Sequence, residues 1–389
     1  MKILLLTQFL STTKGGGEYI FSEIANEIAK RGNEVWVITH NVEGEDYSSF
    51  HENVKIIFVS SVKYEGGLPP TFSKNLQFVT SAIIKGLKLI KKEKINLIHS
   101  NNFSPALAGS ILSSLLHIPN IICVHDVFSN CGKNYWKRWA SQQNVSKIHS
   151  FLGPRFEKMI PKLSHVLVHT VSEASKDDIL KLGEKKPIRV ISNAIKIKHA
   201  LDAKIIPNQF VCVGRLVFYK NLETVIRALP LVKNVNPNIK FLIVGDGPHK
   251  SKLENLVKEL KIEENVSFLG FVSELKKNET IASSLSMVFP SVCEGFGLVI
   301  LESFLQKRPV LASDVRPLNE IISDQKDGII VPPFDSEKWA EAMMSLIENQ
   351  ESASKMGLEG NRKLGTEYNQ STMINKVEEM YKEVLDGNN

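Results

Sequence analysis

Short apolar segments alternate with amphipathic segments along the whole chain. In the first half, runs of apolar and β-branched residues predict buried strands at residues 3–6, 35–38, 55–59, 97–99, 121–124, 166–169 and 189–192. Between them, apolar positions at helical spacing predict amphipathic helices such as 17–31, 75–94 and 104–116. This alternation indicates a parallel sheet with helices on both faces.

The same pattern restarts in the second half, with predicted strands at 209–213, 240–244, 266–269, 287–289, 309–312 and 328–331. The stretch 194–208 has little periodicity and is the predicted linker. A chain of 389 residues is long enough for two cores. We therefore predict an α/β protein with two doubly wound domains, residues 1–200 and 201–369, and a helix at 370–389 that packs back on the first domain. Because ligands of such sheets bind beyond the carboxyl ends of the strands, two facing domains would enclose a cleft.

The charge is unevenly divided between the two halves. Residues 1–204 carry 27 Lys and Arg against 17 Asp and Glu, a balance of +10, whereas the remaining 21 basic and 25 acidic residues give −4. A basic first half suggests an anionic partner such as a membrane surface, a phosphorylated lipid or an acidic glycan, and no motif points to nucleic acid. The segment 81–94 is a basic amphipathic pattern, which fits either a solvated helix face or binding to a membrane surface.

Composition also narrows the compartment. The four cysteines are scattered, with no C-x-x-C spacing or Cys/His cluster, which favours a reducing compartment and argues against structural zinc. No apolar stretch approaches the length of a membrane span, and the first ten residues are too soon polar for a signal peptide. The predicted location is cytoplasmic. Because the first half of the chain is basic, peripheral association with the inner face of the membrane is a further possibility that the sequence suggests.

The most informative motif lies in residues 286–314, where Glu294 and Glu302 bracket a glycine loop that opens a helix. The backbone N–H groups of residues 295–297 have no intrahelical partner there, so they favour a phosphate. Glu302 suits a ribose diol, and Glu294 suits sugar hydroxyls. The alternative is two solvated glutamates beside a tight turn. A glycosidase pair is disfavoured, because eight helical residues span about 12 Å and such pairs need roughly 5 to 9.5 Å.

Two further loops of the second half carry candidate groups. Gly214 and Arg215 follow a predicted strand, and Lys220 comes just before the next helix, so both cations suit a diphosphate. An exposed basic turn is the alternative. Gly245 and Gly247 resemble half of a dinucleotide fingerprint without its third glycine, which is weak support for NAD and fits a tight turn better.

The first half has candidates at the ends of its own strands. Gly16 and Gly17 lie between the first strand and the first helix, where the backbone can approach a phosphate, although a flexible linker is the alternative. His125 ends the strand 121–124, and Asn193 follows the strand 189–192. A single histidine is more often structural than catalytic, but this position is a favourable one.

Taken in order, these motifs resemble the retaining, nucleotide-sugar-dependent glycosyltransferases of family 4. The matching segments are GGGE at 15–18, HD at 125–126, VGRL at 213–216 with Lys220, VGDGP at 244–248 and EGFGLVILE at 294–302. The resemblance covers nearly the whole chain. It implies the GT-B fold, in which two Rossmann-like domains face an interdomain cleft, the first binding the acceptor and the second the nucleotide-sugar.

The resemblance also implies roles for individual residues. Arg215 and Lys220 would stabilise the leaving diphosphate, Glu302 would hold the ribose, Glu294 the sugar hydroxyls, and His125 the transferred sugar. The catalytic set is thus His125, Arg215, Lys220 and Glu294. The implied donor-binding set is Gly16, Gly17, Asn193, Gly214, Gly245, Gly247, Gly295, Phe296, Gly297, Leu298 and Glu302, with the nucleobase near Gly270, Phe271 and Val272. The chain has no D-x-D, so no metal or cofactor is expected.

Two loops depart from the family pattern. Residues 192–196 read SNAIK where Pro-Asn-Gly-Ile/Val-Asp is frequent, and residues 316–319 read RPLN where a Gly-Gly pair often precedes a glutamate, here Glu320.

The function predicted from the resemblance is a retaining, metal-independent transfer of a hexose from a UDP- or GDP-sugar to a glycan or lipid-linked acceptor. The alternatives are a sugar-nucleotide epimerase of the same architecture, a non-catalytic nucleotide-sugar-binding protein and, more remotely, a nicotinamide dehydrogenase.

Overall fold

The computed structural model describes residues 1–12, 15–63, 72–132, 134–142 and 148–387. The chain forms two compact units. Unit 1 comprises Met1–Asn193 together with Ser371–Asn389, and unit 2 comprises Ala194–Gln370. The first unit thus ends seven residues before the predicted boundary at residue 200, and the terminal helix groups with unit 1.

The sheet of unit 1 is parallel and has seven strands in the order β3-β2-β1-β4-β5-β6-β7. The strands are β1 Lys2–Leu6, β2 Glu34–Val42, β3 Val54–Val62, β4 Leu97–Asn101, β5 Asn120–Val124, β6 Leu167–Thr170 and β7 Ile188–Val190. The central strands β1, β4, β5 and β6 are almost entirely buried, as expected of parallel strands covered on both faces.

The helices described in unit 1 include α1 Gly17–Lys30, α2 Phe72–Glu93, α3 Ser104–Leu116, α4 Tyr135–Gln142, α5 Ile148–Glu157 and α6 Glu173–Lys181. The sequence analysis did not delimit three of these, α4, α5 and α6. The pair α4 and α5 follows β5 and is held by Glu157, whose carboxylate accepts hydrogen bonds from the backbone N–H groups of Phe128 and Ser129 and from the Trp136 indole. Unit 1 therefore carries a helical insertion directly after β5.

The sheet of unit 2 has six parallel strands in the order β10-β9-β8-β11-β12-β13. These are β8 Ile206–Val213, β9 Lys240–Val244, β10 Val266–Gly270, β11 Ser284–Phe289, β12 Val310–Ser313 and β13 Gly328–Val331. Every predicted strand of this half is present. The predicted linker 194–208 is too long, because β8 already begins at Ile206 and Ile195 forms an isolated bridge with Asn369.

The helices of unit 2 cover both faces of this sheet. They are α7 Leu222–Val235, α8 Lys250–Glu259, α9 Glu274–Ser283, α10 Leu298–Leu305, α11 Leu318–Ile321, α12 Ser336–Glu348 and α13 Gln350–Glu367. The core between α7, α12 and the strands contains Trp339, Phe210 and Phe241, all fully buried.

The last helix, α14 Gln370–Asp386, belongs to unit 1. Its apolar face, which includes Met373, Val377 and Tyr381, is buried. The Tyr381 hydroxyl lies 2.7 Å from Nδ1 of His99 on β4, and Arg31 after α1 forms an ion pair of 2.8 Å with Glu378. The helix is therefore an integral part of the first unit.

Candidate active site

The predicted ligand-binding residues of unit 2 gather at one edge of its sheet. Chain order reverses between β8 and β11, which are neighbours in the sheet, so their carboxyl ends open the crevice where ligands of doubly wound folds bind. The loop after β8 carries Gly214, Arg215 and Lys220, and the loop after β11 carries Glu294. The Val292 N–H and the Ser291 hydroxyl both donate to the Tyr219 carbonyl, which joins the two loops.

Glycines allow the loops after β8, β9 and β10 to pack together. The Gly214 N–H donates to the Val244 carbonyl at 3.0 Å, and the Gly245 N–H donates to the Gly270 carbonyl at 2.8 Å. A Cβ at Gly245 would lie 2.0 Å from the Gly214 oxygen, and its φ of +126° is in the left-handed region. The Gly245–Gly247 segment is thus a close-packed turn. Phe271, which directly follows Gly270 of β10, is 75% exposed.

The helix α10 begins directly after the glycine loop. Gly297 is its N-cap with a φ of +105°, and a Cβ there would crowd Ile300, Phe289 and Leu318 at 3.1 to 3.4 Å. Gly295 and Phe296 precede the cap, and the Phe296 side chain is buried against Tyr368. The side chain of Phe296 therefore anchors the loop, while the N-terminus of α10, which starts at Leu298, carries the positive end of the helix dipole and favours an anion.

Lys220 and Glu294 form an ion pair at this crevice. The ammonium contacts Oε1 of Glu294, and the two side chains are 17% and 14% exposed. Lys220 also lies 4.7 Å from the centre of the Phe289 ring. Burial acts to lower the pKa of Lys220, but the neighbouring Glu294 carboxylate outweighs it and the net shift is upward. Lys220 therefore stays charged.

Glu302, on the second turn of α10, forms a second pair with Lys277 of α9. Lys277 Nζ lies 2.9 Å from Oε1 of Glu302 and 2.9 Å from Oε2 of Glu274. Within the described part of the chain, Oε2 of Glu302 is buried and has no hydrogen-bond partner. Burial raises the pKa of Glu302, and the charge of Lys277 opposes that rise. The sequence analysis missed Lys277, because it lies 25 residues upstream on a separate helix.

The helical separation estimated for the two glutamates is wrong. Only the part from Leu298 onward is helical, so Glu294 lies in the preceding loop. The two carboxylates have different lysine partners: Glu294 pairs with Lys220, and Glu302 pairs with Lys277. This arrangement of two independently paired acids differs from two carboxyl groups that share one reaction.

In unit 1, Gly17 and His125 are in close contact. Gly16 is the N-cap of α1, and a Cβ at Gly17 would lie 3.2 Å from Nε2 of His125. The same nitrogen is 3.6 Å from the Cys123 sulfur. Burial lowers the pKa of His125 to about 4, so the imidazole is neutral at physiological pH. The carboxyl end of β5 and the N-terminus of α1 thus form one site with a neutral histidine.

Beneath this site lies a group of buried ligand-type side chains. His99, Cys123 and His169, from the adjacent strands β4, β5 and β6, place ligand atoms within 4.8 Å of one another, and they are the one such group in the described residues. Sequence spacing could not reveal it, because its members come from three strands. His99 is already hydrogen-bonded to Tyr381 at 2.7 Å and to His169 at 3.3 Å. We interpret the group as a hydrogen-bonded core network.

The two loops that depart from the family pattern have their own internal contacts. Asn193 is buried at the end of the first stretch of unit 1. The Arg316 guanidinium lies 2.8 Å from Glu320, and the Asn319 amide donates to Asp314 at 3.1 Å. The RPLN segment is therefore held by a salt bridge where a Gly-Gly pair would have no side chains.

Within the described residues, none of the helices combines the length and the apolar character needed to span a bilayer.

Comparisons with known proteins agree with the motifs. Residues 14–199 match the family Glycosyltransferase Family 4, and residues 194–363 match Glycosyl transferases group 1. The chain is 32% identical to an alpha-D-kanosaminyltransferase of Streptomyces kanamyceticus over 78% of this chain and 81% of the relative. It is 28% identical to a poly(ribitol-phosphate) alpha-N-acetylglucosaminyltransferase of Staphylococcus aureus over 55% of this chain and 43% of that protein.

Solved structures show the same fold at low sequence identity. A sucrose-phosphate synthase from Thermosynechococcus elongatus superposes with a TM-score of 0.82 at 18% identity, covering 99% of both chains. HepE of Anabaena, solved with UDP and glucose, superposes with a TM-score of 0.75 at 19% identity, covering 98% of this chain and 99% of that one. The predicted fold, with two Rossmann-like domains of GT-B type, is confirmed. The chain belongs to the family 4 type of GT-B glycosyltransferases.

Proposed function

We propose that this glycosyltransferase moves a hexose from a UDP- or GDP-sugar to a glycan or a lipid-linked acceptor with retention of the anomeric configuration. The observation that carries the donor assignment is Glu302, whose buried Oε2 has no partner among the described residues although Oε1 is bound by Lys277. A buried acceptor without a donor costs free energy, so a ligand hydroxyl that supplies the missing hydrogen bond is favoured.

The rest of the crevice in unit 2 suits the other parts of a nucleotide-sugar. The N-terminus of α10 and the charged Lys220 favour a diphosphate, with Arg215 as a second cation. Exposed Phe271, next to Gly270 and Val272, offers an aromatic face for the base. Glu294 would exchange part of its contact with Lys220 for sugar hydroxyls when the donor is bound.

The proposed reaction needs no protein base. The bond between the anomeric carbon and the diphosphate oxygen breaks, and the acceptor oxygen attacks that carbon from the same face. The acceptor hydroxyl proton goes to the leaving phosphate oxygen. Lys220 and Arg215 stabilise the negative charge that develops on the diphosphate, the role a metal ion has in other enzymes. Neutral His125 would contact the transferred sugar as a hydrogen-bond partner.

The relatives favour UDP over GDP and a polymer as acceptor. HepE of Anabaena was solved with UDP and glucose, and the Staphylococcus aureus relative is named for transfer of N-acetylglucosamine to poly(ribitol-phosphate). The surplus of 27 − 17 = +10 charges in residues 1–204 suits an anionic acceptor of this kind.

We also propose peripheral binding to anionic membranes through the basic face of α2. Its last turn carries Lys91 and Lys92, and Leu76 and Ile84 are exposed apolar residues on the same helix. Flotation with vesicles should show salt-sensitive binding to anionic lipid and none to neutral lipid. Failure to float with anionic vesicles at low salt would remove the membrane proposal and leave the donor proposal intact.

The donor proposal is tested with a thermal-shift panel of UDP, GDP, ADP, NAD and their sugar conjugates. A ligand that binds the folded state alone raises the unfolding midpoint. We expect a shift with one nucleoside diphosphate and its sugar conjugate, lost in Glu302→Ala. Transfer to a glycan acceptor is then measured with that donor. A shift with NAD alone, or an epimerised donor without any acceptor, would overturn the proposal.

A further inference from the structure

We propose that Lys277 is a positioning residue for the nucleotide: it locks one oxygen of Glu302 so that the other is presented to the ribose diol. This inference rests on the proposed function, since it concerns the donor of the same site. It extends that function by assigning the recognition of ribose to a pair of residues from α9 and α10.

The geometry of the pair divides the two carboxylate oxygens of Glu302. Oε1 accepts the Lys277 ammonium at 2.9 Å, whereas Oε2 is buried without a partner in the described part of the chain. A salt bridge to one oxygen fixes the rotation of the carboxylate plane and leaves the second oxygen directed elsewhere. Because an acceptor that binds a sugar diol must be held in a fixed orientation, this contact prepares Glu302 for the ligand.

Charge balance gives Lys277 a second role at Glu302. The carboxylate is largely buried, and burial favours its neutral form. The charged groups that act on it are Lys277, which favours the ionised form, and Glu274, which opposes it; both belong to α9. Lys277 also pairs with Glu274 at 2.9 Å, which reduces that repulsion. Without Lys277, a larger fraction of Glu302 would be protonated at neutral pH and could accept fewer hydrogen bonds.

The neighbouring lysine provides a matched control. Lys276 precedes Lys277 on α9 but forms an exposed pair with Glu279 at 3.5 Å, with 60% of its side chain exposed. Lys276→Met removes the same charge from the same helix without touching Glu302. A general effect of net charge on the binding of an anionic nucleotide therefore appears in both Lys276→Met and Lys277→Met. An effect through Glu302 appears in Lys277→Met alone.

The experiment measures the affinity of wild type, Lys277→Met, Lys277→Arg and Lys276→Met for the nucleoside diphosphate that wild type binds, and for its 2′-deoxy form. We expect Lys277→Met to weaken binding of the ribonucleotide by about tenfold or more near pH 7, a loss that shrinks as the pH is raised and Glu302 ionises. The preference for ribose over 2′-deoxyribose should fall in Lys277→Met. Lys277→Arg should keep most of it, and Lys276→Met should match wild type.

The ratio of the two affinities is insensitive to the fraction of protein that is folded, so a destabilised variant still gives an answer. If Lys277→Met keeps both the wild-type affinity and the wild-type preference for ribose, the inference is wrong while donor binding stands. If wild type binds none of the nucleoside diphosphates, the proposed function itself fails.

Discussion

Each glutamate of the EGFGLVILE segment has a lysine counter-ion. For Glu294 the partner is Lys220, and both side chains are largely buried. Removing one charge of such a pair leaves the other uncompensated, so we expect Lys220→Met to lower the free energy of unfolding by about 3 kcal/mol. Adding Glu294→Gln should recover most of that loss. Urea unfolding of unit 2, followed by the hydrogen exchange of unit 2 peptides, measures both.

The control for this prediction is the exposed pair Lys338 and Glu341, whose side chains are 53% and 58% exposed. Lys338→Met should leave the urea midpoint unchanged, because water solvates the remaining carboxylate. An equal loss in Lys220→Met and Lys338→Met would show that the Lys220 pair is no more than a surface contact.

Gly245 is the residue whose replacement the loops of unit 2 tolerate least. A Cβ there would lie 2.0 Å from the Gly214 carbonyl oxygen, at a φ that side chains rarely adopt. We expect Gly245→Ala to destabilise unit 2 by more than about 2 kcal/mol and to abolish nucleotide binding. The same substitution at Gly365 of α13, which has open space around it, should raise stability by about 0.5 to 1 kcal/mol. Wild-type behaviour of Gly245→Ala would contradict the close packing of these loops.

At the scale of elements, the sequence predicted the features whose whole signal lies within one strand or loop. The buried strands and the glycine loops that follow them could be read from apolar runs and breakers, since a strand such as β9 Lys240–Val244 carries its whole signal within five residues. Contacts between elements could not be predicted in this way. Lys277 on α9 reaches Glu302 on α10, and His99, Cys123 and His169 meet across three strands, so neither group leaves a spacing in the sequence. The boundary of β8 was misplaced because its first residues, Ile206 and Pro207, are exposed.

The terminal helix α14 is tied to unit 1 through Tyr381. Its hydroxyl is hydrogen-bonded to a buried nitrogen of His99, so Tyr381→Phe leaves that nitrogen without its partner. We expect a loss of about 1 to 2 kcal/mol in the stability of unit 1. Lys376→Gln, on the exposed face of the same helix, should have no effect. Hydrogen exchange of unit 1 peptides measures the difference, and equal exchange in Tyr381→Phe and wild type would mean that the hydroxyl contributes nothing.

At the scale of the whole molecule, the two units should differ in sensitivity to acid. Burial lowers the pKa of His40 and of His125 to about 4, and burial together with the nearby His125 lowers that of His169 to about 3. All three belong to unit 1. In unit 2, burial opposes the shift of Glu223, yet hydrogen bonds from His249 and Lys252 lower its pKa to about 2.

The direction in which stability changes with pH follows from the protons bound by the folded and the unfolded state. An unfolded histidine binds a proton below about pH 6.5 while the buried one stays neutral, so unit 1 loses stability as the pH falls from there toward 4, by up to about 1.4 kcal/mol per pH unit for each imidazole. Glu223 contributes stability above about pH 4.5 that is lost only below that value. We therefore expect unit 1 peptides to lose protection from hydrogen exchange near pH 5 while unit 2 peptides keep theirs. His40→Gln should flatten the pH dependence of unit 1 by up to one proton, and simultaneous loss of protection in both units would contradict this assignment.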